Sequence, residues 1–208
     1  MIPIETLMAF FLASVLLALS PGPDNIFVLT QSALSGKLAG LAVTIGLCTG
    51  LIVHTLAVSL GVAVIFQTSA MAFTALKIFG AAYLLYLAWQ AFRAAATQIT
   101  PGQTSGRDYL KLYRRGIVMN ITNPKASVFF LAFLPQFADP ARGSLTLQLL
   151  CFGGIFIVAT VLIFGAVAIL AGSIRQWLFR SDKTQLVLNR IAGTIFVALA
   201  LNLVIMKR

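Results

Sequence analysis

Ser20-Pro21-Gly22-Pro23-Asp24 interrupts the first long apolar run of this chain, and Asn120-Ile121-Thr122-Asn123-Pro124-Lys125 interrupts another in its second half. Backbone breaks are expensive in hydrocarbon, because the freed N–H and C=O groups find no water there. Charges at that depth are expensive too and mark function by default. One break carries Asp24 and the other Lys125. Opposite charges at matching breaks read as a secondary transporter with its site at the middle of the membrane.

Composition agrees. Hydrophobic residues make up 60% of the chain, charged residues 10%, and the mean hydropathy is +0.98, which is the balance of an integral membrane protein in a lipid bilayer. The net charge of +10 raises nucleic acid as a partner. The Lys and Arg residues sit mostly between apolar spans, where membrane topology accounts for them, so no nucleic-acid partner is expected. Cys48 and Cys151 lie inside apolar segments without CxxC or metal-type spacing, and neither a metal nor a cofactor is expected. The N-terminus does not read as a signal peptide. Its first basic residue is Lys37, Glu5 stands where a basic region belongs, and the apolar run continues past the break.

Hydropathy predicts six spans, at 5–34, 39–66, 70–95, 112–138, 144–173 and 186–206. A straight crossing needs ~20 residues. The two interrupted spans are longer, as two half-helices with an unwound turn require. The expected fold is all-α and membrane-embedded with six transmembrane helices, or five if one broken segment is re-entrant. Residues 96–110 hold the polar Pro/Gly/Ser-rich stretch and form the expected linker between a first half, 1–95, and a second, 111–208.

The halves repeat. Gly40, Cys48 and Gly50 share their spacing with Gly143, Cys151 and Gly153; Pro23 matches Pro124; and Lys77-Ile78-Phe79-Gly80 matches Arg190-Ile191-Ala192-Gly193, each expected to open the last span of its half. A unit of three spans is odd, so the second copy is inverted in the membrane. Lys37, Arg93, Arg107, Lys111, Arg114, Arg115, Arg175, Arg180 and Lys183 fall on one side, against Lys77, Arg142, Lys207 and Arg208 on the other. The bias puts the linker in the cytoplasm and both termini outside.

Leu19-Ser20-Pro21-Gly22-Pro23-Asp24-Asn25 followed by Gly36, then Thr122-Asn123-Pro124-Lys125-Ala126 followed by Phe133-Leu134-Pro135-Gln136-Phe137, resembles the two signature regions of the LysE/RhtB family of bacterial amino-acid exporters. Gly80-Ala81-Ala82-Tyr83-Leu84-Leu85-Tyr86-Leu87 is similar to that family's third span. The resemblance covers nearly the whole chain. It implies efflux of amino acids or close derivatives across the inner membrane, driven by protons. Family members differ in substrate, between basic amino acids, threonine and homoserine, and leucine-like ones. His54 leans toward the homoserine/threonine branch.

The residues supply a chemistry of their own. Pro21, Gly22 and Pro23 stop one helix, and Pro124 the other, because proline lacks a backbone donor. Asn123 is a good N-cap with Pro124 at the first helical position. The helix so started would turn its positive end toward a carboxylate, with Lys125 beside it. Asp24 would hold the ammonium of the same zwitterion. The competing reading is a structural Asp24–Lys125 salt bridge that locks the breaks together. Asn25 and Asn120 flank the breaks and join the candidate site. His54 suits a proton carrier, or is a neutral histidine satisfied by a backbone carbonyl. The other intramembrane polar residues, among them Thr44, Thr49, Thr55, Ser59, Thr122, Ser127 and Gln136, read as helix glue or as bonded to their own backbone. Gly46, Gly50, Gly61, Gly153, Gly154 and Gly165 read as close helix contacts. Tyr83, Tyr86 and Trp89 read as a binding wall, an interfacial belt or simple packing.

The chain is therefore expected to be a non-enzymatic exporter of amino acids or close derivatives, with protons as the coupling ion and a homo-oligomer left open. A cation or other small-metabolite exporter is the alternative, although Lys125 would repel a cation. An intramembrane enzyme is more remote: no Ser/His/Asp set, HExxH or phosphate loop occurs.

Overall fold

The computed structural model describes residues 2–20, 22–68, 70–93, 108–179 and 182–205. They form eight α-helices: α1 (Ile4–Leu19), α2 (Pro23–Ser35), α3 (Lys37–Thr68), α4 (Ala70–Arg93), α5 (Tyr109–Ile121), α6 (Pro124–Val128), α7 (Leu145–Phe179) and α8 (Asp182–Ile205). Between α6 and α7 lie a π turn, Phe129–Phe133, and two 3-10 turns, Leu134–Phe137 and Pro140–Arg142. The protein is an all-helical, multi-pass membrane protein.

Both expected breaks are present. The pairs α1/α2 and α5/α6 each bend by more than 40° and are apolar enough to count as one broken span apiece. Within α3 and α7, Lys37–Gly61 and Leu145–Ala171 are long and apolar enough to cross a membrane unaided. Six spans require α4 and α8 to cross as well. Each has 24 residues, and the apolar stretch of α8 is Asn189–Leu201. Most of the expected linker lies outside the described residues. Asp108 already caps α5, its side chain accepting from the Lys111 N–H at 2.9 Å. Tyr109 and Leu110, expected in the linker, are therefore helical.

Packing runs between the halves. α3 lies along α5 and α7, α4 along α8, α1 against α7, and α2 between α3 and α7. Phe10, Phe129, Phe130, Phe133, Phe152 and Phe156 are buried in one core cluster, with Phe10–Phe152 centroids 4.9 Å apart and Phe129–Phe156 centroids 5.0 Å apart. The π turn puts Phe129 and Phe130, adjacent in sequence, both at 0% exposure. Tyr86 and Trp89 face outward on α4, with Arg93 stacked 4.6 Å over Trp89. Tyr83 of the same group is half-buried.

The repeat needs two corrections. Gly143 has φ 112° and turns the chain ahead of α7, whereas Gly40 is helical; the conformational counterpart of Gly143 is Gly36, φ 91°, ahead of α3. The Lys77–Gly80 and Arg190–Gly193 segments lie inside α4 and α8 rather than opening them, because both helices start upstream. The glycines divide as well. A Cβ on Gly46 would press on the Tyr113 carbonyl and lie 3.1 Å from the Gly116 Cα, so α3 and α5 touch through backbone. Gly50 abuts Asn120 and Gly153 abuts Thr55, while Gly61, Gly154 and Gly165 have nothing among the described residues within 4 Å of an added Cβ.

Most of the hydroxyls behave as expected; Ser59 does not, being buried with no hydrogen-bond partner among the described residues. Thr44, Thr49, Thr55, Thr122 and Ser127 each donate to the carbonyl four residues back. Gln148 carried no sequence signal. It is buried and clamps the turn before α7: its Oε1 accepts from Asp139 N–H, and its Nε2 donates to the Asp139 and Gly143 carbonyls.

Replacing Gly46 with alanine should lower thermal stability in detergent by ~1–3 kcal/mol, since backbone on the far side cannot give way. Gly154→Ala, with open space around it, should be neutral or stabilising by up to ~1 kcal/mol. Equal melting shifts for the two would contradict the backbone contact between α3 and α5.

Candidate functional site

The site is built from the ends of broken helices. α1 stops at Leu19, with Ser20 extended and its N–H bonded to the Leu16 carbonyl at 3.0 Å. Gly22 is extended, and Pro23 opens α2 at a position that needs no N–H donor. Pro21 lies outside the described residues. Asp24 follows in the first turn of α2, where the helix dipole favours an acid. At the second break Thr122 ends α5, and the Asn123 side chain accepts from the Lys125 N–H at 2.9 Å, with Pro124 first in α6. The expected N-cap is thus formed. The helix it starts is only five residues long before the π turn begins, so its end carries little of the dipole expected of it.

Lys125 does not pair with Asp24. Among the described residues the ion pair present is Arg142–Asp139, on the surface. The Lys125 ammonium instead donates to the carbonyls of Ser20 at 2.9 Å and Leu17 at 3.1 Å. These belong to the last turn of α1, whose carbonyls have no partner within the helix. Asn25 Nδ2 donates to a third, that of Ala18. Gly22 makes the approach possible, because a Cβ there would sit 3.1 Å from Lys125 Nζ. The salt-bridge lock is therefore not formed, and a lysine cap on α1 stands in its place.

At the end of α5 the Val118 and Asn120 carbonyls already accept from the Thr122 and Asn123 N–H groups, and side chains add a second contact to each. Thr122 Oγ1 donates to the Val118 carbonyl at 2.8 Å, and His54 Nε2 lies 3.2 Å from the Asn120 carbonyl. That is the satisfied-histidine geometry. His54 also packs on Phe130, with centroids 5.6 Å apart. Asn120 connects the two groups, because its Nδ2 donates to Asp24 Oδ2 at 3.3 Å.

Burial is nearly complete: Ser20, Asp24, Asn120 and Asn123 are 2%, 6%, 2% and 3% exposed. Yet, among the described residues, Ser20 Oγ, Asp24 Oδ1, Asn25 Oδ1, Asn120 Oδ1 and Asn123 Nδ2 have no partner at hydrogen-bond geometry. Buried polar atoms are almost always paired, so a group of five around two helix breaks is a polar patch that water or a small polar solute would satisfy. Sequence reasoning passed over Ser20 as a site residue. Its place as the last residue before the prolines was the available signal.

Residues 15–207 match the family described as LysE type translocator. The chain is 38% identical over 191 residues to the homoserine/homoserine lactone efflux protein of Salmonella typhimurium, covering 91% of each chain. The corresponding protein of Salmonella typhi shares the same 38% over 191 residues. A membrane protein of Vibrio cholerae is 29% identical over 204 residues, covering 98% of each chain. No solved structure matches.

Asn123→Ala removes the cap of α6 and should cost ~0.5–2 kcal/mol, while Asn123→Ser, which can still accept from Lys125 N–H, should recover most of it. Detergent melting curves of the two variants make the comparison. Equal losses would mean that the cap does not hold the second break.

Proposed function

The chain belongs to the LysE type translocator family, and from that membership we propose that it exports amino acids or close derivatives, of the homoserine or homoserine-lactone kind, across the bacterial inner membrane in exchange for protons. The observation that carries this reading is the group of buried, unpartnered polar atoms at the two breaks. Such a group stabilises nothing by itself, and it becomes favourable when a small polar solute fills it. Crossing points of broken helices are where transporter substrates bind.

Asp24 holds the substrate ammonium or a proton, one at a time. Exclusive occupancy of one carboxylate by either cation is the simplest form of exchange: arrival of the proton releases the amine. Asn120 ties Asp24 to the helix end that His54 also touches, so a change in the charge of Asp24 is felt at His54. Lys125 keeps α1 closed against α6 in this conformation. The linker faces the cytoplasm, and the two halves form an inverted repeat.

Two outcomes follow. Asp24→Asn keeps the shape and the Asn120 contact but removes the charge. The variant should insert and fold, yet lose proton-driven efflux from cells loaded with substrate as dipeptide; normal efflux at wild-type protein levels would sink the coupling role. A cysteine at position 104, in a chain lacking Cys48 and Cys151, should resist an impermeant thiol reagent added outside, and one placed after Arg208 should react. Labelling of position 104 from outside would reverse the orientation.

A further inference from the structure

We propose that Phe27, with the Arg115 guanidinium stacked on it, is the gate through which solute reaches the buried polar group from the linker end of the protein. The inference adds a route to the export reading and rests on that reading only for what passes.

Helix directions place the pair. A Cβ on Gly46 would meet Tyr113 and Gly116, and one on Gly50 would meet Asn120, so α3 and α5 run side by side in the same direction. α2 runs the opposite way along α3, because Gly36 alone separates the two helices and turns the chain between them. The end of α2, the start of α3 and the start of α5 therefore lie at one end of the molecule, the end at which the linker enters α5.

Two layers cross the seam between α2 and α5. At the breaks, Asn120 Nδ2 donates to Asp24 Oδ2 at 3.3 Å. Nearer the linker end, the Arg115 guanidinium carbon lies 4.7 Å from the centre of the Phe27 ring. At ~1.5 Å of rise per residue, Phe27 and Arg115 stand roughly 5 Å and roughly 8 Å along their helices from Asp24 and Asn120. Solute arriving from the linker end along this seam meets Phe27 before it meets Asp24.

The polar group is closed differently at its two ends. Gly153 abuts Thr55, one turn beyond Gly50 on α3, so Phe152 and Phe156 lie past the breaks on the side away from the linker. There the rings of Phe10, Phe129, Phe152 and Phe156 interlock across α1, the π turn and α7. On the linker side Phe27 is buried with Val43 and Leu47 of α3 and Phe164 of α7. Toward α5 it meets the exposed Arg115, and α2 and α5 otherwise pack little on one another among the described residues. A cation over a ring at an exposed site is a weak contact, easily broken and remade. That suits a seal that opens in every cycle, whereas a ring block shared by three elements suits one that stays shut.

The test labels a buried reporter. In the full chain lacking Cys48 and Cys151, Ser20→Cys puts a thiol into the polar group. The vesicle face from which a cysteine at position 104 reacts identifies the linker end. A small impermeant thiol reagent is then added to that face or to the other, with no substrate present. Phe27→Ala should speed labelling of the reporter from the linker face by roughly tenfold or more, as a large-to-small change in a packed site does to an opening equilibrium. Labelling from the opposite face should not change. Arg115→Gln should speed it about two- to fivefold, and Arg115→Lys, which keeps a cation over the ring, by less. Equal acceleration from both faces, or none from the linker face, would overturn the gate. So would Arg115→Lys matching Arg115→Gln, and that comparison decides the matter if Phe27→Ala does not insert. The measurement contains no substrate, so absent efflux from dipeptide-loaded cells would remove the export reading and leave the labelling result standing.

Discussion

Carbonyls released inside a membrane must find donors, and that constraint organises this protein. Breaking the first span after Leu19 frees the last turn of α1. In water the cost is small; in hydrocarbon each unpaired group costs several kcal/mol. Asn25 answers from just past the break, and Lys125 answers from the second half of the chain. The second break is answered first by the Thr122 and Asn123 backbone N–H groups, with the Thr122 hydroxyl and His54 from α3 as additional contacts. Each broken helix is thus held partly by a side chain from elsewhere in the sequence. Those long-range caps fix where Asp24, Asn120 and Asn123 stand, and the buried polar group exists because the caps use some of their atoms and not others.

What could be read in the sequence was what proline and asparagine decide locally. Pro23 and Pro124 open helices, and Asn123 caps one, because these residues act on neighbours one to three positions away. The partner of Lys125 was not legible. Charge pairing pointed to Asp24, since carbonyls are present at every residue and carry no mark in the sequence. Which of them are free depends on where a helix stops in space. The contact between Gly46 and Gly116 was half visible for the same reason, with one glycine singled out and its opposite passed over. Gly40 was aligned with Gly143 on spacing alone, yet only positive φ distinguishes a turn glycine from a helical one, and that places Gly36 opposite Gly143.

The aromatic core gives the site a rigid neighbour. Around the π turn, Phe129, Phe130 and Phe133 interlock with Phe10, Phe137, Phe152 and Phe156. These rings join α1, the π turn, the following 3-10 turn and α7 in one block, and Phe130 also touches His54. A π turn departs from the regular ladder, which is why such turns recur next to functional sites. No periodicity argument would have found it, because helical spacing assumes the ladder it breaks. The polar cluster at the breaks therefore has a stiff apolar mass on one side and long-range caps on the other.

The lysine cap also has a consequence in time. Lys125 lies 105 positions after Ser20, whose carbonyl it holds. At a synthesis rate of roughly 5–20 residues per second, that separation is a delay of roughly 5–20 s between the emergence of α1 and the emergence of its cap. During that interval the local donors described at the end of α1 are the Ser20 N–H and the Asn25 side chain. The Lys125 contacts at the end of α1 can form only after residue 125 has itself emerged.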